Sequence, residues 1–71
     1  MYVVTVLFTI HAAQWEAFKQ AMLQNAQTSL AVEPGCRQFD VCFGDPGQWT
    51  IFLYEVYDSQ SEFVTHLTTP H

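Results

Sequence analysis

Two polar side chains interrupt an apolar helical stripe. Trp15, Phe18, Met22, Asn25, Ser29 and Val32 follow one another at spacings of 3, 4, 3, 4 and 3, which puts them on one face of a helix. An amide or hydroxyl on that face needs a partner, because a buried polar group left without one costs about 1–3 kcal/mol. Asn25 and Ser29 are therefore either satisfied core groups or donors lining a pocket under the helix. Glu55 poses a similar question. If Trp49, Ile51, Leu53, Glu55 and Tyr57 share one face of a strand, a carboxylate stands on an apolar surface. It is a candidate base, or it pairs with Arg37 or crosses an interface between subunits. His66 and His71 bracket Leu67-Thr68-Thr69-Pro70. Imidazole is the side chain whose ordinary pKa lies near neutral pH, so the pair could shuttle protons. Trp49 and Tyr54 could stack on a planar ligand, with Tyr57 beside them. His11 reads as a turn residue, and Cys36 as a small buried residue or a reactive thiol.

The elements that must position these residues follow from periodicity and breakers. Residues 2–10 are β-branched and aromatic and predict a strand buried on both faces or nearly so. Residues 13–32 carry the helical stripe, and Pro34-Gly35 ends it. Residues 37–43 alternate, with Phe39, Val41 and Phe43 on one side and Gln38, Asp40 and Cys42 on the other. Gly44-Asp45-Pro46-Gly47 predicts a turn into a strand over 49–57. Ser59-Gln60-Ser61-Glu62 is a capping box for a short helix that Thr69-Pro70 interrupts. The order β-α-β-β-α predicts one α+β domain over 1–71, a ferredoxin-like antiparallel sheet without its final strand. That strand would lie beside the first, so a chain incomplete at its C-terminus, or another chain covering that edge, is expected.

Composition excludes several functions. Lys19 and Arg37 are the only lysine and arginine, against seven acidic residues, and the net charge is −5. No basic face for nucleic acid or an anionic membrane can be built, and a highly phosphorylated ligand is awkward. Six Phe, three Tyr and two Trp are more apolar surface than a 71-residue monomer hides easily, so self-association, most simply as a homodimer, is expected. No signal peptide, membrane-length apolar run, zinc-ligand spacing, phosphate loop or nucleophile triad is visible. The expectation is a cytoplasmic protein with reduced thiols, a small-molecule substrate, and neither metal nor cofactor.

The residues then resemble a known family. Val3-Val4-Thr5-Val6, Glu33-Pro34-Gly35-Cys36, Phe39-Asp40-Val41, Leu53-Tyr54-Glu55-Val56 and His66-Leu67-Thr68-Thr69-Pro70-His71 resemble, in order and spacing, the antibiotic biosynthesis monooxygenase (ABM) family. The resemblance covers essentially the whole chain. It implies a dimeric αβ-barrel-like assembly and chemistry without flavin or metal. The first function it implies is monooxygenation of a quinol, phenol or polyketide-like molecule. Trp49 and Tyr54 would stack on the substrate, His66 or Glu55 would take a proton, and Asn25 would hold the anion. Gln24-Asn25, Ser29, Phe39-Asp40-Val41 and Thr68-Thr69-Pro70-His71 look most like the branch that isomerises phosphorylated autoinducer-2, a hydroxydione phosphate. There His66 and His71 would shuttle protons, Asn25 and Ser29 would donate, and Arg37 would meet the phosphate. This chain departs from that branch at Leu67, where a lysine stands. The haem-degrading branch fits less well, with no asparagine over Val3–Leu7 and Tyr57 near its pocket tryptophan. A non-catalytic dimeric binding module is the third possibility.

Overall fold

The computed structural model describes all residues, 1–71. Strand β1 is Tyr2–Thr9, and a 3-10 turn at Ala12–Gln14 leads into helix α1, Trp15–Val32. Strands β2, Cys36–Phe43, and β3, Thr50–Tyr57, precede helix α2, Gln60–Leu67. The sheet order is β1-β3-β2, with β3 antiparallel to both neighbours. β1 and β2 thus run parallel on either side of β3, joined by the α1 crossover, which is the split βαβ unit of a ferredoxin-like fold. The edge of β1 away from β3 has no partner strand within the chain. No helix is long and apolar enough to cross a membrane.

Both helices lie on one face of the sheet. Phe39, Ile51, Leu53 and Tyr57 are buried there with Ala26, and Trp15, Phe18 and Met22 pack on them. β1 alternates half-buried and exposed positions, with Leu7 67% exposed. A strand buried on both faces was the expectation; within this chain no second layer covers the other side, so Val3 and Leu7 are left open. The stripe of α1 also ends differently. Val32 is 62% exposed, because the residue that continues the face from Ser29 is four positions on, at Glu33.

One end of the layer is aromatic packing. Trp15 meets Trp49 and Phe43 edge-on at 5.5 and 6.1 Å, and Lys19 lies over the Phe43 ring. Trp49 precedes β3 with a left-handed φ of 56°, and its carbonyl accepts from the Ile10 N–H at 2.9 Å. Gly47 supplies the other positive φ of that turn, 88°, which glycine adopts without a Cβ clash. The opposite end, where α1 finishes and α2 begins, holds the polar residues.

Candidate functional site

Glu33 is the C-cap of α1 and its carboxylate is nearly buried. A negative charge there opposes the helix dipole, an unfavourable placement worth about 0.3–1 kcal/mol unless something offsets it. Two imidazoles do. His66 Nδ1–H donates to Glu33 Oε2 and Oε1 at 3.0 and 3.1 Å, and His71 Nε2–H donates to Oε2. Burial raises the Glu33 carboxyl pKa, but hydrogen bonds from His66 and His71, the charge of His66 and the Ser29 hydroxyl outweigh it. The net shift is downward.

The surrounding residues fix these rings. His66 is held between Phe39, Tyr57 and Phe63, with ring centroids at 5.8, 5.6 and 6.3 Å. Ser29, fully buried, donates to Asn25 Oδ1 at 3.2 Å and turns its oxygen to His66 Nδ1 at 3.4 Å. That bond occupies the amide oxygen of Asn25 and leaves its NH₂ as the group free to meet a ligand. α2 begins where the Ser59 hydroxyl accepts from the Glu62 N–H at 3.4 Å. It ends with the Thr69 hydroxyl donating to the His66 carbonyl at 2.7 Å, which holds the chain as it turns toward His71.

A cavity of about 330 Å³ opens on this cluster, lined by Gln24, Asn25, Thr28, Pro70 and His71 with Ala21. His71 and Asn25 touch it, whereas His66 stands behind Glu33. The arrangement is a surface imidazole, oriented by a carboxylate that a second, buried imidazole holds. A base positioned in this way can take a proton from a ligand, and the carboxylate stabilises the imidazolium that forms.

A family model for antibiotic biosynthesis monooxygenases matches residues 1–71. The chain belongs to the antibiotic biosynthesis monooxygenase family. This ABM protein is similar to a Nitrosomonas europaea protein of the same family description. The two share 32% identity over the whole of this chain and 74% of the other, with a TM-score of 0.90. A Bacteroides thetaiotaomicron structure (19% identity, TM-score 0.90) shares the fold over 97% of this chain and 66% of its own. A Mycobacterium tuberculosis structure is 25% identical over 97% of this chain and 68% of its own, with a TM-score of 0.73. A comparison with curated proteins finds no match.

In this ABM protein the residues singled out from the sequence fall into three places. Asn25, Ser29, His66 and His71 come together around Glu33. Glu55 and Tyr57 lie buried on the helix-covered face of β3, with the Tyr57 hydroxyl donating to Glu55 Oε1 at 2.5 Å. Trp49, Tyr54 and Arg37 are elsewhere. Trp49 belongs to the aromatic end, before the start of β3, whereas Tyr57 is the last residue of that strand. Tyr54 is on the open face. Arg37 does not pair with Glu55. It holds Asp58 through two bonds of 2.7 and 3.0 Å, at the surface. Cys36 is buried, and burial followed by the charges of Glu33 and Glu55 pushes its thiol up, away from a reactive thiolate.

Glu33 was not among the residues that sequence pattern singled out for chemistry. A local signal existed: an acidic residue at the end of a helix, directly before Pro34-Gly35, where the dipole disfavours it.

The lowered Glu33 pKa has a consequence for stability. A carboxyl whose folded-state pKa lies below its unfolded value stabilises the fold above the unfolded value and loses that contribution as pH falls through the folded one. Urea midpoints are therefore expected to drop between roughly pH 5 and 3, and to drop less in Glu33→Gln. Equal acid sensitivity in the two proteins would remove Glu33 as the cause.

Proposed function

We propose that this ABM protein is a cofactor-independent proton-transfer enzyme acting on a small, oxygenated, enolisable carbonyl compound. The observation that carries the reading is the Glu33 carboxylate clamped between His66 and His71, beside a cavity that Asn25 shares. With Nε2–H bonded to Glu33, the Nδ1 of His71 is the ring nitrogen left to act as base. It takes a proton from the carbon next to the carbonyl. The NH₂ of Asn25 donates to the oxygen that gains charge. Return of the proton to the former carbonyl carbon, with the neighbouring hydroxyl passing its proton to the first oxygen and becoming the new carbonyl, completes an isomerisation with no change in oxidation level.

The lack of an aromatic stacking wall favours this reading over a stacked quinol. Neither Trp49 nor Tyr54 lines the cavity, and neither do Lys19 or Arg37. A phosphate would meet no basic side chain of this chain except the histidine, so an unphosphorylated hydroxyketone suits the cavity better than a hydroxydione phosphate. The family description supports a second reading, monooxygenation. It shares the first step: the same anion would pass electrons to dioxygen, one oxygen atom entering the product and the other leaving as water.

Deuterium incorporation next to the carbonyl, followed by NMR in D₂O with phosphorylated and unphosphorylated hydroxydiones, distinguishes these. Exchange that disappears in His71→Ala and Asn25→Ala is the expected result. Oxygen uptake with quinols and no exchange would favour the second reading. Neither activity would overturn both and leave a non-catalytic dimer.

The assembly belongs to the same proposal. Val3, Leu7, Phe52 and Tyr54 form an apolar patch on the open face, with Leu7 opposite Phe52 and Val3 opposite Val56 in register. A second copy of the chain, apolar face to apolar face, is the occupant proposed for it. Sedimentation should find a dimer that Leu7→Glu dissociates. A wild-type monomer, or a dimer indifferent to Leu7→Glu, rules the face out.

A further inference from the structure

We propose that Glu33, His66 and His71 form a binding site for a divalent transition-metal ion, of which zinc is the natural representative. Sequence spacing predicts no such site, since the three residues come from the end of α1, from α2 and from the segment beyond it. The fold brings one donor atom of each within 4.8 Å of the others. His66 Nδ1 and Glu33 Oε2 are 3.0 Å apart. Ligands at ~2.0–2.1 Å from a tetrahedral ion stand ~3.3 Å from one another, so the His66–Glu33 pair is already near that spacing and the remaining donor atoms, within 4.8 Å, close on the ion by side-chain rotation.

The donor set selects the ion. Two imidazoles and one carboxylate suit zinc, cobalt or nickel, whereas calcium and magnesium require more oxygen donors. The imidazoles bind as neutral ligands, so the protons now shared with Glu33 must leave the donor nitrogens. For His66 that moves the ring proton from Nδ1 to Nε2.

The surroundings resemble those of a metal centre. The aromatic rings of Phe39, Tyr57 and Phe63 pack around His66 and limit water there. Three protein ligands leave a fourth position. The cavity that His71 shares with Asn25 and Thr28 gives room for water or an oxygenated ligand in it. The net charge of −5 favours any cation at this protein. The inference uses the side chains of the proposed proton relay but does not rest on its chemistry.

The test reads binding, not turnover. Tag-free protein, stripped with chelator, is titrated with Co²⁺ and followed by visible absorption, and with Zn²⁺ by calorimetry. One ion per chain is expected, with the intense absorption of a four-coordinate cobalt site. His71→Ala, at the accessible end of the chain, should weaken binding by at least ~10²-fold while circular dichroism stays unchanged. Glu33→Gln and His66→Ala should do the same where they fold. His11→Ala, outside the cluster, should bind like wild type. No stoichiometric binding, or equal affinity in His71→Ala, overturns the proposal. Either result leaves the proton-relay reading standing, because that reading is scored by deuterium exchange in metal-free protein.

Discussion

Glu33→Gln is expected to destabilise the protein by about 2–3 kcal/mol and to lower proton-transfer activity by ~10²–10⁴-fold. The carboxylate accepts from His66 Nδ1 through both oxygens and from His71 Nε2. A neutral amide keeps the shape but changes the chemistry. It presents one oxygen to two donors and turns an NH₂ toward one of them, leaving a nearly buried imidazole facing a donor. Hydrogen bonds to a charged group contribute about 1.5–3 kcal/mol, which sets the stability loss. The activity loss has a separate origin. Without the negative charge the imidazolium formed at His71 is no longer stabilised, and the ring is no longer held with Nδ1 as its basic nitrogen. Denaturant unfolding checks the first effect, and the exchange rate measured well below the melting temperature checks the second. His66→Gln separates them further: it removes the buried clamp and spares the carboxylate, so activity should fall less than in Glu33→Gln. Wild-type exchange rates in Glu33→Gln would remove the carboxylate from the mechanism.

The parts of this molecule that were legible in the sequence are those fixed by local chemistry. Alternation placed Ile51, Leu53, Glu55 and Tyr57 on one face of β3, where they are buried. Ser59 caps α2 as the Ser-x-x-Glu pattern requires. The order and type of the five elements followed from the switch between periods of 2 and 3.6. The site was legible only in part, because its contacts join distant segments. Glu33 meets its two imidazoles across 33 and 38 residues, and no window along the chain contains that pairing. His66 and His71 drew notice by residue type, and the carboxylate that gives them a shared role did not.

Trp49 and Arg37 fall outside the site for different reasons. Trp49 stays on the helix-covered side, against Trp15, but lies before the start of β3, at the end remote from His66. Arg37 lies where the β2–β3 register slips between Cys36 and Gln38. The irregularity gives Cys36 and Gln38 partners on β3 and leaves Arg37 beside Asp58 rather than Glu55. A one-residue irregularity of this kind redirects a side chain, and composition and periodicity do not reveal it.

Glu55 and Tyr57 therefore belong to a structural argument, and it leads to the second large effect. Tyr57 is 0% exposed and Glu55 4%. The Tyr57 hydroxyl is held firmly in its protonated form, by burial first and then by its hydrogen bond to Glu55 and the charge there. It is a permanent donor to a buried carboxylate. Tyr57→Phe is expected to cost about 3 kcal/mol, because it leaves that carboxylate without its donor while keeping the ring packed on His66 and Phe63. In a Glu55→Leu background the same change should cost less than about 1 kcal/mol, since nothing then requires the hydroxyl. The difference, a coupling of about 2 kcal/mol, is the quantity a double-mutant cycle in urea reports. A substrate-binding tyrosine would behave otherwise: Tyr57→Phe would raise KM in protein that is still folded, and its stability cost would be the same in both backgrounds. With the hydroxyl committed to Glu55 inside the core, KM in Tyr57→Phe should stay at the wild-type value below the lowered melting temperature.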